Sequence, residues 1–227
     1  MRFLRQTLTI AAKDLRAEMR SKEALNASLS FGLVMLLLFS FAFEPSPEMT
    51  QEISGGLLWM TFAFAGALIL NRSFARELPN DCLDALVASP ISAAALFTGK
   101  ALANLALLAA VEAVCFPVFA IFYNVRLAGK LGPLLLVALL GTWGITVIGT
   151  MYSALTVNIR LREVMLPLLV NTTLLPALLA AMQATVLILS GEPLLKGEAL
   201  VWLKFLIGFD VIFTSLAVAL VDTVLVG

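Results

Sequence analysis

This sequence predicts an all-α integral membrane protein, with six transmembrane helices preceded by an amphipathic interfacial helix. Two observations predict it. Of its 227 residues 61% are hydrophobic and only 13% charged, at a mean hydropathy of +1.00, whereas a water-soluble domain carries about 25% charge. The fifteen Lys and Arg and fifteen Asp and Glu are also bunched into a few segments. The stretches between them are long enough to cross a bilayer core, which takes roughly 20 residues.

In chain order, residues 24–43 and 53–71 carry no charge and form the first two spans. Residues 101–125 are apolar apart from Glu112, and 131–159 and 164–191 are again free of charge. The sixth span, 201–221, is the least apolar, with Lys204 near its start and Asp210 inside it. With a cytoplasmic N-terminus, eleven Lys and Arg fall on the inner side and four on the outer, as the positive-inside rule requires. An even number of spans returns the C-terminus to the cytoplasm. The whole chain reads as one transmembrane domain.

Composition also removes function classes. A net charge of zero argues against a nucleic-acid partner, because phosphate binding needs a basic excess. The chain has no histidine, hence no imidazole base and not the usual zinc or heme-iron ligand. Cys82 and Cys115 are too isolated for a metal motif. The Gly99-Lys100 pair has alanine at 94 and 101, where a phosphate-binding loop needs glycine and a hydroxyl. No catalytic or metal residues are expected, and any use of ATP would need another subunit.

Residues 1–23 read as a helix lying in the cytoplasmic interface. Leu4, Leu8, Ala11, Leu15 and Met19 share one arc, and Arg2, Arg5, Lys13, Arg16 and Arg20 the opposite one, suited to anionic headgroups. Residues 72–100 are the longest polar stretch. Asn80 is placed to cap a short helix, with Asp81 and Asp84 at its positive end and Leu83, Leu86 and Val87 on one face; Pro90 ends it. A second helix starts within 89–92 and runs through Lys100 into the third span. This helix-turn-helix is the expected docking site.

Inside the spans, Glu112 and Asp210 should face protein or water, since a charge at the bilayer centre costs about 2.5–3.5 kcal/mol on insertion scales. Each suits a substrate path, a subunit contact or a hydrogen-bonded protonated carboxyl. Thr142, Thr146 and Thr150, with Gly141 and Gly149 beside them, make a small-residue seam for close helix packing, within the chain or between two copies.

These features resemble the permease subunit of an ABC-2 type exporter, and more closely the CcmB family, the heme exporter B subunits of bacterial cytochrome c maturation. Three stretches carry the resemblance: Asn71-Arg-Ser-Phe-Ala-Arg-Glu-Leu-Pro-Asn-Asp-Cys-Leu-Asp-Ala-Leu86, followed by Ala88-Ser-Pro90 and Gly99-Lys100; Ser153-Ala-Leu-Thr-Val-Asn-Ile-Arg-Leu-Arg-Glu-Val-Met-Leu-Pro167, followed by Pro176; and Trp202-Leu-Lys-Phe-Leu206 with Phe209-Asp210. The chain departs from the family's pattern at Asn71 and at Asn80-Asp81, where acidic residues and an acidic-Gly pair are usual. The resemblance implies an ABC-2 permease architecture in the bacterial inner membrane. It implies a homodimer, a separate ABC ATPase subunit, heme-handling and small accessory membrane subunits, and heme as the substrate. Arg72, Phe74, Arg76, Glu77, Leu83, Asp84 and Leu86 would couple to the ATPase, while Arg160, Arg162 and Glu163 lie in the cytoplasmic loop between spans four and five. The missing histidines favour ATP-driven release of a heme-loaded chaperone over passage of heme through this chain. The alternatives are an ABC-2 permease for a lipid, glycan or drug, and a secondary transporter using Glu112 and Asp210 as a relay.

Overall fold

The computed structural model describes residues 2–42, 47–78, 82–125, 127, 129–157 and 161–226, and the side chains of all of these except 47–52, 54, 83, 84, 87, 162, 225 and 226. Among the described residues every regular element is a helix. Its helices are α1 (Arg2–Ser21), α2 (Glu23–Ala42), α3 (Pro47–Ser73), a 3-10 turn (Ala75–Glu77), α4 (Cys82–Val87), α5 (Ala93–Phe122), α6 (Leu131–Thr156), α7 (Arg162–Ser190) and α8 (Gly197–Val226). Six of them, α2, α3, α5, α6, α7 and α8, are long and apolar enough to cross a membrane.

The other four spans surround α3 and α6, the two most enclosed. Helix α3 packs on α2, α5, α6 and α7, and α6 packs on α3, α5, α7 and α8. Lipid offers no hydrophobic drive for helix association, so close approach has to come from small residues. That is how the α6 seam is used. A Cβ on Gly141 would fall 2.1 Å from the Trp59 ring of α3, and one on Gly149 would fall 2.2 Å from Leu70. Gly141, Thr142, Thr146, Gly149 and Thr150 are all buried, so the seam is spent inside the chain. Trp59 is held by its Nε1, which donates to Thr185 Oγ1 of α7 at 2.9 Å.

The chain turns from α1 into α2 through a single residue, Lys22, whose φ of 55° lies in the left-handed region. Ser92 begins α5 as a side-chain cap, its Oγ accepting from Ala95 N at 3.2 Å. Helix α5 then continues through Pro117, and α7 through Pro167 and Pro176.

Helix α1 meets the bundle mostly beside its expected apolar arc rather than with it. Of its predicted apolar arc, Ala11 is buried and Leu15 half-buried, but Leu4, Leu8 and Met19 are exposed at 66%, 62% and 59%. The face that meets the bundle is the neighbouring one, with Thr7, Ile10, Ala11 and Glu18 buried and Asp14 half-buried. Helix α1 lies along α5, over Gly99, where a Cβ would come 2.8 Å from the Thr7 carbonyl oxygen. Leu4, Leu8 and Met19 are left exposed, while the acids and Leu15 find partners in the protein.

The far end of α8 settles on the same face of the bundle as α1. Val221 packs with Phe97 of α5, and Val224 against the cluster of Phe74, Ala154 and Val157. Both ends of the described residues therefore lie at one face of the bundle.

Candidate functional site

Where α1, the end of α3, the 3-10 turn and the start of α5 meet, the structure buries a knot of charge. Lys100 of α5 is 0% exposed. Its ammonium donates to Asp14 Oδ2 of α1 at 3.0 Å, to Glu77 Oε1 of the 3-10 turn at 3.0 Å and to the Ser73 carbonyl at 2.9 Å, which uses all three of its donors. The Phe74 ring, also fully buried, lies 5.0 Å from the same ammonium, within cation–π range.

Around this hub Glu77 also pairs with Lys13, which sits 3.2 Å from Asp14. Burial opposes the Lys13 charge, but the hydrogen bond it donates to Glu77 and the nearby Asp14 outweigh it and raise the amine above its usual range. Glu18 is fully buried and serves two ends at once, pairing with Arg76 and accepting Leu25 N of α2 at 2.8 Å. Three cations, Lys13, Arg76 and Lys100, thus meet three carboxylates, Asp14, Glu18 and Glu77, and the knot closes neutral. Buried charge is tolerated on that condition.

Neutral hydrogen bonds extend the clamp. Asn104 Nδ2 donates to Ser73 Oγ at 3.0 Å and to Thr150 Oγ1 at 2.9 Å. Phe74 N donates to Ser153 Oγ at 3.4 Å, and Gln6 Nε2 to the Pro90 carbonyl at 3.1 Å. The stretch from Ser73 to Glu77 is held by α1, α5 and α6 together.

The expected coupling residues are divided by this arrangement. Phe74, Arg76 and Glu77 converge on the knot, with Phe74 and Glu77 buried. Arg72 is exposed and pairs with Glu23 at the head of α2, a surface pair worth about 0–1 kcal/mol. Leu86 is half-buried on α4, and Glu163 is exposed. The side chains of Leu83, Asp84 and Arg162 lie outside the described ones, as do the residues Asn80, Asp81 and Arg160 themselves.

The intramembrane carboxyls do not meet. Glu112 of α5 accepts a hydrogen bond from the Thr142 hydroxyl of α6. Asp210 of α8 is 6% exposed, has neither oxygen hydrogen-bonded, and lies where a Cβ on Gly144 would fall 2.9 Å from its Oδ1. Positions 142 and 144 stand about 200° apart around a helix, so Glu112 and Asp210 meet different faces of α6. Glu112→Gln keeps the acceptor for Thr142, and thermal melting of the purified protein is expected to stay within about 1 kcal/mol of wild type. A loss of several kcal/mol would mean that the carboxyl carries a charge the fold depends on.

Among the described residues no three His, Cys, Asp or Glu side chains gather as a metal-binding group. A groove of about 140 Å³ between α6, α7 and α8 is walled by Val147, Met151, Leu155, Phe213, Leu216 and Leu220. Its polar edge is the Tyr152 hydroxyl, 2.9 Å from Thr173 Oγ1.

The family model described as CcmB protein matches residues 5–223. The chain belongs to the CcmB family. Relatives named heme exporter protein B bear this out across much of the length. That of Rhodobacter capsulatus is 32% identical over 170 residues, 75% of this chain and 78% of the relative. That of Pseudomonas aeruginosa is 28% identical over 210 residues, 92% of this chain and 93% of the relative, and that of Paracoccus denitrificans is 30% identical over 173 residues. The CcmB segment after α3 is thus the one clamped by the knot.

Half of that knot had no mark in the predicted site. Lys13, Asp14, Glu18 and Asn104 are not among the expected site residues, and neither is Lys100, although it lies in the CcmB-like stretch. One signal was there: Asp14 and Glu18, four residues apart, form the only acidic pair on an otherwise basic helix and so share a face. On α5, Lys100 and Asn104 have the same spacing.

Proposed function

We propose that this chain is the membrane permease subunit of an ATP-driven heme exporter serving cytochrome c maturation, in the bacterial inner membrane with the α1 face cytoplasmic. The single observation that carries the coupling part is the clamp: the Ser73–Glu77 stretch is tied by buried ion pairs and hydrogen bonds to α1, α5 and α6. A separate ATPase subunit docks beneath α4, and the stroke passes through Glu77 and Lys100 into α5. Family membership and the eleven basic residues expected on that face support the orientation. Two copies of the subunit, with heme-handling and small accessory membrane subunits, complete the assembly.

The absence of histidine from the sequence favours a second use of the same stroke, the release of a heme-loaded chaperone from a neighbouring subunit.

Cys82 on α4 is exposed and Cys115 is buried, so a thiol-directed photocrosslinker applied to native membranes reports on the α4 surface. The expected product is a covalent adduct to an ABC ATPase subunit, absent in Cys82→Ser. If an ATPase co-purifies with the chain but no adduct forms from Cys82, docking under α4 is wrong. If none associates and transport persists without ATP, the permease reading itself fails.

A further inference from the structure

Helix α1 presents three faces. One, with Thr7, Ile10, Ala11 and Glu18, is buried against the bundle. The next, about 100° round, carries exposed Leu4, Leu8 and Met19. The third carries Arg2, Arg5, Arg16 and Arg20, all exposed, and among the described residues none of the four forms an ion pair. With the leucines turned down into acyl chains, the bundle face points inward along the membrane plane and the arginine face outward from the protein. That sets the guanidiniums at headgroup depth, beside lipid. The remaining sector holds exposed Ala17 and Gln6, whose amide reaches the Pro90 carbonyl.

We propose that α1 is a binding surface for anionic phospholipid headgroups, gripped by Arg2, Arg5, Arg16 and Arg20 while Leu4, Leu8 and Met19 insert beneath them. Charge complementarity selects the occupant. Four guanidiniums without a protein partner suit phosphates, to which they bind bidentately, and the apolar arc beside them excludes a soluble anion as the main ligand because it must be covered by acyl chains. The same helix holds Asp14 and Glu18 in the ionic knot, so headgroups bound on one face steady the clamp on another. This assignment is independent of what the protein transports.

Native mass spectrometry of the purified full chain, titrated with phosphatidylglycerol or phosphatidylcholine, tests it. Wild type is expected to retain phosphatidylglycerol at least about tenfold more tightly at low salt, with the preference shrinking as salt rises. The quadruple Arg→Gln variant at 2, 5, 16 and 20 loses that preference, and the quadruple Arg→Lys variant keeps most of it. Since these side chains do not touch the bundle, the Gln variant should melt with wild type in neutral detergent. Should it fail to fold, the pairs Arg2→Gln/Arg5→Gln and Arg16→Gln/Arg20→Gln are each read in its place. Equal retention of the two lipids by wild type, or a preference that survives the Gln substitutions, overturns the proposal.

Discussion

Lys100→Met is expected to melt on the order of 10 °C below wild type, corresponding to about 3–5 kcal/mol. Removing this one ammonium takes a partner from Asp14, from Glu77 and from the Ser73 carbonyl at once, and leaves two largely buried carboxylates to the single ammonium of Lys13. Lys13 and Arg76 remain, but Lys13 already serves Glu77 and Asp14 from the exposed rim, and Arg76 serves Glu18. The cost is therefore mostly that of unpaired carboxylates rather than of lost attraction. A triple variant, Lys100→Met with Asp14→Asn and Glu77→Gln, should recover most of the loss, because neutral amides need no counter-charge. Circular dichroism melts of the three proteins in one detergent decide it. If Lys100→Met alone melts with wild type, the knot does not hold the segment.

Gly141→Ala should be the most damaging single-methyl change in the spans. Its Cβ would sit 2.1 Å from the ring of a fully buried Trp59, whose indole cannot swing away without breaking the bond to Thr185. Overpacking of this kind costs about 1–3 kcal/mol or more. Trp59→Phe removes the ring atoms in the way, so Gly141→Ala should cost clearly less in that background than in wild type. Gly208 on α8 supplies the contrast. A Cβ there meets nothing within 4 Å, and Gly208→Ala should be neutral or stabilise by up to about 1 kcal/mol through helix propensity. Equal effects of the two alanines would mean that packing against α3 is not what position 141 contributes.

The spans could be read directly because length and absence of charge are local properties: residues 131–159 announce α6 without reference to anything else in the chain. The start of α5 was equally visible, since Ser92 carries a capping hydroxyl two residues after Pro90. The seam on α6 showed as a pattern, but whether it met α3 or a second copy depended on Trp59 and Leu70, whose positions no spacing reveals. The knot was least legible. Lys100 and Asp14 are 86 residues apart, and a lone lysine at the head of a span reads locally as an interfacial anchor. On α1, hydrophobic periodicity found a true apolar face and assigned it to the interface, yet the protein-facing side turned out to be the one bearing Asp14 and Glu18. Where the surrounding medium is itself apolar, polar residues define the packing face, the reverse of the rule for soluble helices.

Because the last turns of α8 lie beside Phe74 and Ala154, on the face where α1 lies, the two ends of the described residues share one face of the bundle. Two copies could then be encoded as a single polypeptide, the tail of the first joined to the head of the second by a short hydrophilic linker, with no extra crossing helix. Such a tandem would allow a substitution to be placed in one half alone, and the number of intact knots needed per assembly could be counted.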